Sequence, residues 1–177
     1  MAQHPVEPAP KLWRGRFFED FDAGDVFQGR LGRTITEADN TWFTCLTMNT
    51  NQIHFNTEYA KLSRFGRVLV NSTFTLALVA GLTVADTSEN AAANLDFDEI
   101  RLPNPVFVGD TLWAESKVLE VRASQSRPNV GIVRIRSRGV NQDGDVIIEF
   151  KRTFMVYRRG ATEAQAVFPP VRDDRSG

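Results

Sequence analysis

Residues 49–54, Asn-Thr-Asn-Gln-Ile-His, hold the side chains best suited to chemistry in this sequence. His54 is one of two histidines, and imidazole is the side chain whose ordinary pKa lets it take and give a proton near neutrality without help. Asn49 and Asn51 share its segment. A carboxamide does not ionise in the working range, so these two can orient a water but cannot serve as a base. The plainer alternatives are a loop histidine satisfied by a backbone carbonyl and asparagines that only form turns. Ser72 has no recognisable base at a fixed spacing, which argues against a Ser-His nucleophile. At the start of a helix, its backbone N–H would instead face developing negative charge with the helix dipole behind it. The sequence has no Gly-rich phosphate loop, no Cys/His metal cluster and no dinucleotide fingerprint, so neither metal nor redox cofactor is implied.

Several elements must position these groups. Val26 to Ile35 is expected to be a first strand with bends at Gly29 and Gly32. Thr36-Glu37-Ala38-Asp39 then resembles a helix start, with a threonine cap and acids in the first turn. Ala38, Trp42, Cys45 and Leu46 recur at helical spacing, which predicts that Thr41 to Leu46 lies on a buried face, with Cys45 an inert small hydrophobe. Asn56 can cap a short helix through Phe65, ended by Gly66. Ser72 to Val84 is apolar nearly all round, the pattern of a helix buried on most sides.

The second half changes period. Leu95 and Phe97 have one parity and Ile100 and Leu102 the other, which predicts a bulge near Asp98. Thr111–Val121 and Val130–Val140 read as strands, the latter with Arg134, Arg136 and Arg138 on its wet face. Asn141-Gln142-Asp143-Gly144 is a hairpin turn, and Val146, Ile148, Phe150, Phe154 and Val156 line one face of a last strand. Helices followed by long antiparallel strands give an α+β class, with an antiparallel sheet wrapped around a central apolar helix.

The composition excludes several function classes. The chain has 177 residues, a formal net charge of -1 and a pI of about 6.1, without the basic excess of a nucleic-acid binder. Its longest apolar run is interrupted by Asn71, Ser72, Thr73 and Thr75, too short and polar for a membrane span. A single cysteine and no leader-like N-terminus suit a cytoplasmic protein. Residues 1–12, which include His4, read as a loose arm, 13–160 as one domain and 161–177 as a flexible tail.

In its order of helix, polar loop ending in His, apolar helix and then strands, the chain resembles the MaoC-like dehydratases, the (R)-specific enoyl-CoA hydratases of the hot-dog fold. The resemblance spans roughly Phe17 to Tyr157. It rests on Asn49-Thr50-Asn51-Gln52-Ile53-His54, set against the family pattern Asp-x-Asn-Pro-x-His, and on Pro105-Val106-Phe107-Val108-Gly109-Asp110-Thr111-Leu112. Asn49 replaces the family's aspartate, Gln52 its proline, and Asn71-Ser72 stands where relatives carry His-Gly.

The resemblance implies reversible addition of water to a 2-enoyl-CoA. Coenzyme A would enter only as part of the substrate, and a dicarboxylic thioester such as mesaconyl-CoA is an attractive candidate. His54 would move the proton, Asn49 hold the water and the Ser72 amide polarise the thioester. Asn51, Asn71, Arg64, Arg67 and Arg101 would bind substrate, the arginines at the CoA phosphates, although a solvated surface role is the simpler reading of any one arginine. The resemblance further implies a homodimer or higher homo-oligomer. Two alternatives stand beside it: an acyl-CoA thioesterase, disfavoured because Ser72–Val84 contains no Asp or Glu, and a non-catalytic acyl-CoA-binding or partner subunit.

Overall fold

The computed structural model describes residues 15–164; the expected arm with His4, and residues 165–177 of the expected tail, lie outside them. In chain order the elements are β1 (Val26–Gln28), β2 (Arg33–Thr34), α1 (Glu37–Leu46), α2 (Thr57–Lys61), α3 (Ser72–Leu82), β3 (Ala91–Arg101), β4 (Thr111–Ala123), β5 (Val130–Val140) and β6 (Val146–Tyr157). The strands form one antiparallel sheet in the order β1-β4-β5-β6-β3, with β2 also paired to β4. Residues 162–164 close the described chain as a 3-10 turn, with Glu163 accepting from Asn129 Nδ2 at 2.8 Å.

The predicted first strand is two short ones. Both pair with β4, but the chain leaves the sheet between them where Gly32 passes against the Trp113 indole, with no room for a Cβ. The predicted bulge is present: the β3–β6 register shifts between Asp98 and Arg101, and Glu99 takes a φ of 48°. On β5 the three arginines alternate with buried positions as expected, and each reaches an acid across the sheet, Arg134 to Asp98 at 2.7 Å, Arg138 to Glu115 at 2.6 Å and Arg136 to Glu149 at 3.9 Å. These ion pairs are part-exposed and add little net stability.

Helix α3 lies on the sheet through Val79, which is fully buried with Ile35, Leu112, Ile148 and Phe150. Fully burying a side chain of this size contributes about 1.5–3 kcal/mol. Close approach depends on Gly139 of β5, where an added Cβ would sit 2.6 Å from Val79 Cγ2. The sheet covers only one side of α3. Thr75 and Val79 are its buried residues, while Ser72, Thr73, Ala77 and Gly81 are exposed, so burial on most sides does not hold within this chain. A second cluster, Phe21, Val118, Val133, Ile135, Phe154 and Val156, fills the other end of the same sheet face.

Helix α1 begins where expected and faces the opposite way. Thr36 Oγ1 accepts from the Asp39 N–H at 3.2 Å, and the Asp39 carboxylate accepts from the Thr36 N–H at 2.8 Å, a reciprocal cap. Its buried residues are Asn40 and Thr44, whereas Trp42 and Leu46 are 73% and 80% exposed and Cys45 is exposed too. Apolar spacing therefore marked the wrong face, because the inward positions are claimed by polar side chains, Asn40 bonded to buried backbone and Thr44 to the Asn71 side chain. Helix α2 is capped by Asn56 as predicted but ends at Lys61; the chain turns irregularly before Gly66.

The capping carboxylate gives a prediction. Hydrogen bonds from the Thr36 hydroxyl and N–H, helped by Arg33, hold the Asp39 pKa below its ordinary 3.8. A lowered carboxyl stabilises the fold fully above that value and loses its contribution as the pH falls through the folded-state pKa. Asp39→Asn is expected to cost about 0.5–2 kcal/mol at neutral pH, as caps do. In thermal melts the gap to the unsubstituted protein should narrow as the pH falls below the ordinary aspartate value and through the lowered one; a gap constant with pH would contradict this origin.

Candidate active site

The site is built on a short extended segment, Leu69–Val70, between the two motifs singled out in the sequence. On one side the Leu69 N–H donates to Ile53 O at 3.1 Å, tying it to the 3-10 turn Gln52–His54. On the other, Leu69 bridges Phe107, and the Val70 N–H donates to Val106 O at 2.9 Å. The 105–112 segment is held in turn by Asp110, whose carboxylate accepts from the Phe107 N–H at 2.8 Å. The histidine loop and the later strand entry thus meet across one strip of backbone.

His54 is 7% exposed, and its Nδ1 lies 2.9 Å from Leu69 O. A carbonyl only accepts, so this contact places a proton on Nδ1 and, in the neutral ring, a basic lone pair on Nε2. Among the described residues Nε2 makes no hydrogen bond. The bland expectation, a histidine satisfied by a backbone carbonyl, is met at one nitrogen. The other is left available for proton transfer.

Ser72, the first residue of α3, lines a cleft of about 240 Å³ together with Leu69, Val70, Thr75, Arg64 and the 102–106 segment. The Ser72 N–H has no acceptor among the described residues, as befits the open end of a helix. No carboxylate lines this cleft, and Arg64 supplies a cation on its wall, with no ion-pair partner among the described residues. His54 itself is not in the wall. It is fastened to the wall through Leu69, whose carbonyl it holds while Leu69 lines the space.

The remaining candidates fare differently. Asn51 Oδ1 accepts from the Ile53 N–H at 3.3 Å and starts the histidine turn. Asn71 is 2% exposed and caps α3: its Oδ1 accepts from the Thr73 N–H at 3.0 Å and the Thr73 hydroxyl at 2.7 Å, and its Nδ2 donates to Thr44 Oγ1 at 3.2 Å. Both side-chain oxygens cap a backbone N–H two residues on. Asn49 Oδ1 accepts from the Asn51 N–H at 3.0 Å, and its NH2 group remains to meet a water. Arg67 stacks 3.6 Å over the Phe107 ring and Arg101 is exposed at the end of β3; neither lines the cleft.

Asn40 and Thr44 were not foreseen. Asn40 Nδ2 donates to His54 O at 2.8 Å and to Leu69 O at 3.3 Å, while its Oδ1 accepts from the Asn71 N–H at 2.9 Å. One side chain joins α1, the histidine turn, the cleft wall and the start of α3. The available signal was a pair of polar residues four apart on the helix, inward together. Among the described residues no group of three His, Cys, Asp or Glu converges as a metal site, and no helix is long and apolar enough to cross a membrane.

Comparison with known proteins agrees with this geometry. A structure from Mycobacterium tuberculosis described as a double hotdog fold superposes with a TM-score of 0.77 at 19% identity, covering 85% of this chain and 47% of that one. That likeness shows the hot-dog fold. A MaoC domain protein structure from Chloroflexus aurantiacus, described as a putative dehydratase, gives a TM-score of 0.80 at 35% identity, over 93% of this chain and 46% of that one. The mesaconyl-CoA hydratase of Cereibacter sphaeroides is 35% identical over 157 residues, 89% of this chain and 45% of its own length. The chain spans about half the length of the curated relatives it matches. The mesaconyl-CoA hydratase family model matches residues 4–173, and to that family, with its MaoC-like hot-dog fold, this chain belongs.

Proposed function

We propose that the chain carries a hydratase site that adds water across a 2-enoyl-CoA to give a 3-hydroxyacyl-CoA, with a small dicarboxylic thioester such as mesaconyl-CoA as substrate. The observation that carries this reading is the His54 ring, pinned at Nδ1 to the wall of a cleft whose other face is the open end of α3. In the forward direction Nε2 takes a proton from water as its oxygen bonds to C3 of the enoyl group. The electron pair moves through C2 to the thioester oxygen, where the Ser72 N–H and the α3 dipole stabilise the enolate. The same imidazolium then returns the proton to C2, so atoms and charge balance. Asn49 would offer its NH2 to the water, and Arg64 would hold an anionic group, a carboxylate or a CoA phosphate.

A non-catalytic acyl-CoA-binding role is the second reading, favoured by the carboxamide at Asn49 and by a cleft without a carboxylate. Thioester cleavage draws no support from α3, which has no acid. One assay separates these: purified protein is mixed with mesaconyl-CoA and with straight-chain enoyl-CoAs, following enoyl absorbance and free thiol. Hydration without thiol release is expected, and His54→Ala should lower kcat by roughly 100- to 10,000-fold, the usual worth of general acid–base catalysis, while keeping its circular dichroism. Thiol release, or binding with no turnover, would sink the hydratase reading.

The proposal extends to assembly. β3 stands at the edge of the sheet with Leu95, Phe97 and Ile100 each more than a third exposed, and an open edge is a template for another strand. The likeness to a double hotdog fold of about twice the length supports pairing of two such units, here as a homodimer in the reducing, cytoplasmic setting that a single cysteine suits. Sedimentation should give about twice the 19.9 kDa chain mass; a monomer at tens of micromolar would refute it.

A further inference from the structure

We infer that Asn40 is the positioning residue of this site: it fixes the His54 ring in the tautomer and direction that proton transfer requires. This rests on the reading of His54 as the proton carrier. All three Asn40 contacts are to backbone groups of fixed polarity, since His54 O and Leu69 O can only accept and the Asn71 N–H can only donate. The carboxamide therefore has one allowed orientation, and neither aspartate nor leucine can reproduce it.

Leu69 O is the shared point. It takes Asn40 Nδ2 at 3.3 Å and His54 Nδ1 at 2.9 Å, so the carbonyl that orients the ring is itself held by Asn40. The second Asn40 bond, to His54 O, holds the backbone from which that ring projects. Asn40 is 1% exposed, so water does not replace these bonds when they are lost. Through Oδ1 the same side chain sets the residue that caps α3, and so the distance between the imidazole and the helix end. A shift of about 1 Å between reacting groups can cost on the order of 100-fold in rate.

The test uses the full chain labelled with 15N-histidine, which adds signals from only two residues, His4 and His54. In the unsubstituted protein His54 should show a protonated Nδ1 and a bare Nε2 in the neutral ring; an Nε2–H tautomer would overturn the inference without any variant. Asn40→Asp keeps an acceptor for the Asn71 N–H and loses both donors. It should give a mixture of ring tautomers and lower kcat at least about tenfold, with KM within about threefold. Ser137→Ala removes a buried hydroxyl contact with Ser116 that lies outside this network. It should lower the melting temperature yet leave ring shifts and kcat within about twofold of the original. Unchanged ring shifts in Asn40→Asp, or equal changes in Ser137→Ala, would overturn the positioning role. If the ring behaves as stated but no enoyl-CoA is hydrated, the functional reading fails and the positioning one stands.

Discussion

Everything in this site depends on a single backbone oxygen, Leu69 O. It accepts the His54 ring proton and an Asn40 amide proton, and it belongs to a residue that lines the cleft. A carbonyl cannot change its polarity, so the constraint runs one way: proton on Nδ1, lone pair on Nε2. The fold is arranged to keep that oxygen still. Leu69–Val70 is stitched to the histidine turn through Ile53 and to the 105–112 segment through Val106, and its next residues cap and start α3. Removing any one tether would loosen imidazole and helix end together.

The chemistry available is correspondingly narrow. With Asn49 bonded to its own turn and no carboxylate among the described residues of the cleft wall, the proposed hydration asks one imidazole, His54, both to remove a proton from water and to deliver it to carbon. A cleft with a cation on its wall and an unpaired helix N-terminus favours an anionic, carbonyl-bearing ligand. A thioester with a second carboxylate has both features, which is the ground for proposing a dicarboxylic acyl-CoA over a neutral enoyl chain.

Much of this was legible in the sequence, for local reasons. Thr36 and Asp39 announce the start of α1 because a reciprocal cap is a contact between residues three apart. The β5 arginines and the shift near Asp98 follow from side-chain parity, which every strand must obey. His54 stood out through rarity and chemistry rather than position. What was not legible is non-local. The inward face of α1 was misread because Asn40 is turned in by backbone groups 14 and 31 residues away and Thr44 by the Asn71 side chain, demands no apolar period records. Asn71 looked like a binding residue until its bonds to Thr44 and Thr73 showed it spent on the cap. Arg67 and Arg101, near the cleft in sequence, are placed outside it by an aromatic stack and a strand end.

The most direct measurement is a crystal structure of the chain with a bound enoyl-CoA analogue that cannot be hydrated. The account predicts the thioester oxygen within about 3.0 Å of the Ser72 nitrogen and His54 Nε2 within about 3.5 Å of a water or of the C2–C3 bond, Nδ1 remaining on Leu69 O. A ligand seated elsewhere, or an imidazole whose Nε2 points away from the bound double bond, would contradict it.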